Sequence, residues 1–282
     1  MSTTTASRDR ARRATNPAVY VIALAVVALS VGPVVYGALG GFRSNEQIAR
    51  NPAGLPDPWR LGNYTSVFSN PQFWDYAVNS MVIAALTTAI AVGAGVMAAY
   101  PLARYRFRFR ESLFMVFVLG LLFPLATAII PLSIFISRDL QMSNSWWGVA
   151  LPQAAFALPV TVVILRPFLM ALPQEIEDAA LIDGASRIGV FWRIALPLST
   201  PALVTVGVLA FVTSWNSYLL PLLLLQDEMR TLPLGVADYS TEHSADTAGV
   251  LAFTSVAMIP ALVLFLALQG RIVNGLQGAV KG

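Results

Sequence analysis

The chain contains no cysteine and a single histidine, His243, among its 282 residues. Disulfides and thiolate metal sites are thereby excluded, and one imidazole in an acidic stretch is no basis for catalysis or a histidine-built metal centre. Charge is scarce as well. Asp, Glu, Lys and Arg make up 12% of the residues, against about 25% in an ordinary soluble domain. No Gly-rich phosphate loop, Walker-type Gly-Lys-Ser/Thr, calcium-loop spacing or paired nucleophile and base occurs. The sequence therefore predicts a chain without catalytic residues, metal or cofactor of its own. Asp227, Glu228, Asp238, Glu242 and Asp246 read as a solvated acidic face.

Hydrophobic residues fill 56% of the chain. They gather into stretches free of Asp, Glu, Lys, Arg and His at 14–42, 76–103, 112–137, 140–165, 194–226 and 247–270. A helix needs about 20 consecutive apolar residues to cross a bilayer core, and each stretch is long enough. Burying all of them in a soluble protein would need more polar covering than this chain contains. The sequence thus predicts an all-α integral membrane protein with six transmembrane helices at approximately 17–41, 76–101, 112–136, 146–167, 200–225 and 247–269. A basic tail at 1–13 precedes a single membrane domain over 14–282. The first stretch lacks an Ala-x-Ala-like cleavage signature and is too long for a signal-peptide core, so it reads as a retained span.

The cations set the orientation. With the N-terminus in the cytoplasm, Arg8, Arg10, Arg12, Arg13, Arg104, Arg106, Arg108, Arg110, Arg166, Arg187, Arg193, Arg271 and Lys281 lie inside. Only Arg43, Arg50, Arg60, Arg138 and Arg230 lie outside, and basic residues are retained on the cytoplasmic side during insertion. Both termini are therefore expected in the cytoplasm. The run Arg104-Tyr105-Arg106-Phe107-Arg108-Phe109-Arg110 has the look of a nucleic-acid patch, but it joins two spans through a short loop. Anionic lipid headgroups suit it better, and no nucleic-acid partner is expected.

The longest cytoplasmic segment, 170–199, carries the most information. Residues 175–182 are helix formers, and the small Ala179 and Ala180 allow a neighbouring surface to approach. Gly184 can adopt the left-handed conformation that stops one helix and turns into another. From Ser186, the pattern Ile188, Phe191, Trp192, Ala195 predicts a second short amphipathic helix with Arg187 and Arg193 on its wetter side, ended by Leu196-Pro197 before the fifth span. On pattern alone this elbow could equally lie flat on the membrane surface.

Its spacing, Asp178-Ala179-Ala180, three residues, Gly184, nine residues, Ile194, one residue, Leu196-Pro197, resembles the signature loop of ABC-importer permeases, Glu-Ala-Ala-x3-Gly-x9-Ile-x-Leu-Pro. Asp178 departs from the family's Glu, with Glu177 beside it. The resemblance makes Glu177, Asp178, Ala179, Ala180, Asp183, Gly184, Ala185, Ile194, Leu196 and Pro197 an ATPase-coupling loop between the fourth and fifth helices. Further fragments are similar to the carbohydrate-uptake branch, specifically its shorter, maltose-permease-like second subunit. They include Asn63-Tyr64, Phe73-Trp74, Asn79-Ser80, Ala99–Arg104, Pro131-Leu132, the stretch 197–225 and Thr231–Gly235.

What the resemblance implies is a multi-pass permease of a bacterial-type inner membrane that imports a sugar, a di- or oligosaccharide, by alternating access. Its implied partners are a second homologous permease in a heterodimer, two cytoplasmic ATPase subunits holding ATP and Mg, an extracytoplasmic sugar-binding protein meeting the outer loops at 43–75 and 227–246, and membrane lipid. A glycerol phosphodiester, polyol, amino-sugar or peptide substrate fits the same architecture. An ion-coupled secondary transporter is the rival of different class, but such proteins place ionisable residues inside their spans, and these spans have none.

Trp215, Asn216, Ser217 and Tyr218 fall inside the fifth stretch as candidates for the substrate path, since an aromatic face stacks on a sugar ring while Asn and Ser bond its hydroxyls. The alternative is helix–helix packing. Pro124, Pro131, Pro152, Pro159 and Pro221 likewise admit two readings, gating kinks or prolines tolerated in membrane helices.

Overall fold

The computed structural model describes residues 17–242 and 246–280, and every regular element among them is helical. The basic tail at 1–13, His243 and Lys281 lie outside the described residues. In chain order the helices are α1 Pro17–Gly40, α2 Asn45–Arg50, α3 Gly62–Ser69, α4 Pro71–Arg104, α5 Arg110–Gly120, α6 Leu125–Ile134, α7 Trp146–Ala171, α8 Gln174–Ile182, α9 Arg187–Leu198, α10 Thr200–Trp215, α11 Leu219–Leu224, α12 Leu232–Glu242 and α13 Thr247–Val280. Four of them, α1, α4, α7 and α13, are long and apolar enough to cross a membrane, and up to six spans result if each bent helix pair counts as one.

The third and fifth expected spans are not continuous helices. Within 112–136 the chain bends by 92° between α5 and α6. Pro124 stands at the break as the cap of α6; it has no N–H to give and disfavours helical backbone at Phe123. Within 200–225, α10 stops at Trp215 and α11 starts at Leu219. Pro221 falls in the first turn of α11, where a missing N–H costs nothing, and cannot bond back to the carbonyl of Ser217. By contrast Pro152, Pro159 and Pro167 all lie inside the unbroken α7. Proline alone does not decide where a span breaks.

The described residues form two compact units. The first comprises the chain up to Ser69 together with Tyr239–Val256. Here Arg43, 2% exposed, gathers loop carbonyls, donating from Nη1 to Pro52 O at 2.9 Å and from Nη2 to Gln47 O at 2.7 Å. Read from sequence as an exterior charge, it is the staple that folds the loop after α1. Asp246 is likewise not a free member of an acidic face. Its Oδ1 accepts from Asn45 Nδ2 and from the Gly249 backbone N–H, both at 3.0 Å, which caps α13.

The second unit, Asn70–Asp238 with the chain from Ala257, is built on α4 lying along α7, with α10 against both and α5 on α7. The helices approach closely where side chains are small. Ala91, Ala154 and Ala210 meet in one buried layer, and a Cβ on Gly95 would come within 2.3 Å of Thr161 Cγ2. Small residues at the contact are what lets membrane helices gain dispersion energy without a hydrophobic driving force. Larger side chains fill both sides of this layer, Val96, Leu102, Leu165 and Leu169 toward the elbow and Ile83, Ile136, Leu220 and Leu224 toward the other end.

At that other end Asn79 and Ser80, both buried, fasten the 226–232 segment to α4. Asn79 Nδ2 donates to Glu228 O at 2.7 Å and Arg230 O at 3.1 Å, its Oδ1 accepts from Trp146 Nε1 at 2.9 Å, and Ser80 Oγ accepts from the Leu232 N–H at 2.8 Å. Asn79→Leu removes every bond of this buried amide, among them the one it accepts from the Trp146 indole, a loss of about 1–3 kcal/mol. The expected result is a lower melting temperature of the detergent-purified chain and faster proteolysis of the 226–232 segment; unchanged values for both would refute the clamp.

Candidate functional site

The elbow is built by local rules. Helix α8 runs Gln174–Ile182 with Glu175 and Glu177 in its first turn, where the helix dipole favours negative charge. It ends in a Schellman motif: the Gly184 N–H bonds Leu181 O at 3.1 Å and the Ala185 N–H bonds Ala180 O at 2.9 Å. Gly184 sits at φ +87°, which only glycine adopts without strain. Ser186 then caps α9, its Oγ accepting from the Gly189 N–H at 3.1 Å. The turn expected at Gly184 is where the sequence placed it.

Details of α9 differ from the sequence pattern. Ile188 and Trp192 are 73% and 57% exposed, whereas Val190 and Ala195 are buried and Phe191, Ile194 and Leu196 half-buried against the bundle. Phe191 and Ala195 face the bundle as expected, while Val190 and Ile194 take the inward places expected of Ile188 and Trp192. Residues Phe191–Ala195 form a π-helical turn, which rotates the following residues. Pro197 does not end the helix: α9 runs to Leu198 and meets α10 at Ser199 with a 73° bend. A proline ring collides with the carbonyl four residues back, and the widened turn before Pro197 relieves that contact. Asp178, Ala179, Asp183 and Gly184 are exposed, and Ala180 and Ala185 half-buried.

Glu177, not Asp178, is the anchored acid. It is 8% exposed; Arg104 Nε donates to its Oε1 at 2.8 Å and the Tyr100 hydroxyl to its Oε2 at 3.1 Å. Arg104 Nη2 also donates to Leu172 O at 3.0 Å, at the C-terminal cap of α7. Arg166, on α7, returns the arrangement, donating from Nε to Leu102 O at 3.0 Å in the last turn of α4 and from Nη2 to Glu111 at 2.5 Å. Its guanidinium lies 4.0 Å from the Phe114 ring centre. Each arginine thus occupies the carbonyl end of the other's helix, where orphan carbonyls and the dipole favour a cation. The sequence reading of Arg104 and Arg166 as cytoplasmic topology signals, and of Arg104 as a lipid-facing loop residue, missed this: Arg166 is buried, the Arg104 side chain is 9% exposed, and the two hold α4, α5, α7 and α8 together. A cavity of about 180 Å³ adjoins the ion pair, bordered by Tyr105, Gln174, Asp178, Leu181 and Arg187.

The four residues proposed for a substrate path fall in different surroundings. Trp215 is buried, stacks on Phe211 at 5.6 Å and donates from Nε1 to Ala257 O at 3.3 Å. Its ring is committed to packing. Asn216 is exposed and donates back to Val212 O at 3.0 Å, closing α10. Tyr218 is 38% exposed at the start of α11. Ser217 alone lines a cleft of about 150 Å³ among α4, α6, α7 and α10, together with Thr87, Gln153, Phe156, Thr213 and Ser214. Gln153 Oε1 accepts from Thr87 Oγ1 at 3.2 Å and Ser214 Oγ at 2.5 Å. Its amide nitrogen is buried and has no partner among the described residues, a cost of about 1–3 kcal/mol. Neither Gln153 nor Thr87 was singled out by the sequence, where each is one polar residue in an apolar run.

Long apolar helices, two bent pairs and a glycine-hinged elbow tied to the bundle by the Arg104–Glu177 ion pair define a polytopic membrane protein. The particular class follows from comparison. The chain belongs to the family of binding-protein-dependent transport system inner membrane components, whose sequence pattern matches residues 91–277. It is 32% identical over 270 residues to the sulfoquinovosyl glycerol transport system permease protein SmoH of Agrobacterium fabrum, covering 95% of this chain and 94% of that protein. It is 38% identical over 228 residues to the trehalose/maltose transport system permease protein MalG of Thermococcus litoralis, covering 79% and 81%. Its fold is similar to a chain in the crystal structure of a bacterial ABC transporter involved in import of the acidic polysaccharide alginate, with a TM-score of 0.77, 20% identity and coverage of 93% and 97%.

Proposed function

We propose that this chain is a permease subunit of an ATP-driven importer for a sugar, with six spans, both termini in the cytoplasm and one membrane domain over 14–282. The observation that carries this is the elbow: α8 and α9 meet at a left-handed Gly184 while Glu177 ties α8 to α4 through Arg104. Such an element moves as a lever. The exposed side bearing Asp178, Ile182 and Ile188 is the surface for a cytoplasmic ATPase subunit, and closure of the ATPase pair on ATP tilts α4 and α7. Alternating access requires ATP to favour one state differentially, because equal binding to both states moves nothing.

The substrate class is supported by relatives named for trehalose, maltose and diacetylchitobiose. The partners are a second homologous permease, two ATPase subunits with ATP and Mg, and an extracytoplasmic binding protein at the loops 43–75 and 227–246. Of the path residues, Ser217 lines the cleft, and the exposure of Asn216 and Tyr218 at the break between α10 and α11 supports their meeting solute in this reading.

Proteoliposomes holding the assembled complex and its binding protein test the proposal with radiolabelled maltose, trehalose and diacetylchitobiose. Uptake of one of them that needs ATP and survives collapse of sodium and proton gradients is expected. Gradient-driven uptake by the chain without an ATPase would overturn the proposal, and uptake confined to polyols or glycerol phosphodiesters would move the substrate class.

A further inference from the structure

We infer that the cleft around Gln153 is a contact site for the hydroxyl groups of a neutral sugar ring, so that this chain itself touches the translocated solute. The inference rests on the permease reading above and deepens it. Three polar side chains from three helices converge here, Thr87 from α4, Gln153 from α7 and Ser214 from α10, across 61 and 66 positions of sequence. If their role were only to join helices, the amide would be satisfied on both ends. Instead both hydroxyls donate to Gln153 Oε1, which fills that oxygen, and both hydrogens of Nε2 are left over in a site walled by Leu125, Phe156, Val160 and Leu209. Exchanging the amide's oxygen and nitrogen leaves the same deficit with the sign reversed. The oxygen would then face the cleft without a donor.

The missing partner is a group that carries both donor and acceptor capacity in an otherwise apolar cleft. A sugar hydroxyl has that chemistry. Phe156 borders the cleft, and an aromatic ring can pack on the apolar side of a pyranose ring. Thr213 and Ser217 add hydroxyls, and among the described residues no ionisable side chain borders the site. An anionic solute would find no counter-charge there. The volume of about 150 Å³ suits one ring of an oligosaccharide, so the ring passes through in contact with this chain while the rest of the molecule lies beyond it.

The absence of cysteine makes the test direct. In the assembled complex, Thr213→Cys provides the only thiol on this chain, and a membrane-impermeant methanethiosulfonate reports whether water reaches the cleft. Labelling is expected, and the sugar taken up by the wild-type complex (maltose, trehalose or diacetylchitobiose) should slow it about threefold or more at saturation. Alongside, Gln153→Leu keeps the volume and removes the amide, while the two hydroxyls that donate to it keep other acceptors, Ala150 O for Thr87 at 3.5 Å and Thr87 Oγ1 for Ser214 at 3.4 Å. The chain should melt no lower than wild type while uptake at low sugar falls about tenfold, the loss of roughly one ligand hydrogen bond. Gln153→Asn, which keeps the amide, should retain more uptake than Gln153→Leu. Wild-type uptake by Gln153→Leu, or thiol labelling indifferent to sugar, would overturn the inference while leaving the permease reading intact. Failure of the wild-type complex to take up any of the sugars would instead count against that reading.

Discussion

Glu177→Ala should abolish ATP-driven uptake while the partner ATPase continues to hydrolyse ATP. The carboxylate is one half of an ion pair whose side chains are 9% and 11% exposed, and deleting one partner of a buried pair costs about 3–5 kcal/mol because the other charge is left uncompensated. The consequence is mechanical as well as energetic. Without the pair, α8 loses its hydrogen-bonded tie to α4, and in the proposed relay a push on the elbow is absorbed by local movement instead of tilting the long helix. Arg104→Glu should fail in the same way, and the exchange Arg104→Glu with Glu177→Arg should recover part of the transport by restoring the attraction in reverse. Tyr100→Phe removes one hydrogen bond to the same carboxylate and should be milder, about 1 kcal/mol. Uptake and ATP hydrolysis measured side by side separate these outcomes. Wild-type coupling in Glu177→Ala would show that the pair takes no part in the relay, recovery in the exchanged pair ties the single-variant defects to this contact, and the amount of assembled complex, measured for each variant, separates lost coupling from misfolding.

Gly184→Val should eliminate uptake and leave membrane insertion untouched. A Cβ at this position meets nothing within 4 Å, so no clash contributes. The whole effect comes from the backbone, since φ +87° is strained for a side chain branched at Cβ by about 1–3 kcal/mol. The chain escapes the strain by opening the Schellman turn, and α9 then leaves α8 at a different angle. In the proposed coupling, an elbow with the wrong angle does not fit the ATPase subunit. Gly184→Asn should keep a substantial share of the activity, because Asn tolerates the left-handed region better than other L residues. Uptake assays with membrane-fraction immunoblots distinguish this from loss of the protein. A Val variant that transports normally would remove the turn from the mechanism.

The contrast between these two sites explains what could be read in advance. Gly184 was legible because the need it serves is local: a helix end, a reversal and a following cap at Ser186 all lie within a few residues. The identity of the anchored acid was not legible. Glu177 and Asp178 carry the same charge side by side, and only the direction in which α8 presents each of them, toward α4 or toward solvent, separates the two. Arg104 stands 73 positions from Glu177. In the sequence it is one more arginine of a basic loop, and its burial depends on where α8 comes to rest. Trp215 shows the same limit, since an aromatic beside Asn and Ser reads as a sugar platform until Ala257, 42 positions on, takes its indole N–H.

The sequence by itself determined the medium, the helical class, the approximate extent of the apolar segments and the place of the elbow, because these follow from composition over windows of neighbouring residues and from backbone preferences of single ones. Tertiary structure alone decided which charges are buried in pairs, which spans bend and which polar side chains meet in the cleft. Those outcomes depend on contacts between helices far apart in the chain, where the cost of an unpaired polar group is set by whatever packing brings within about 3 Å of it.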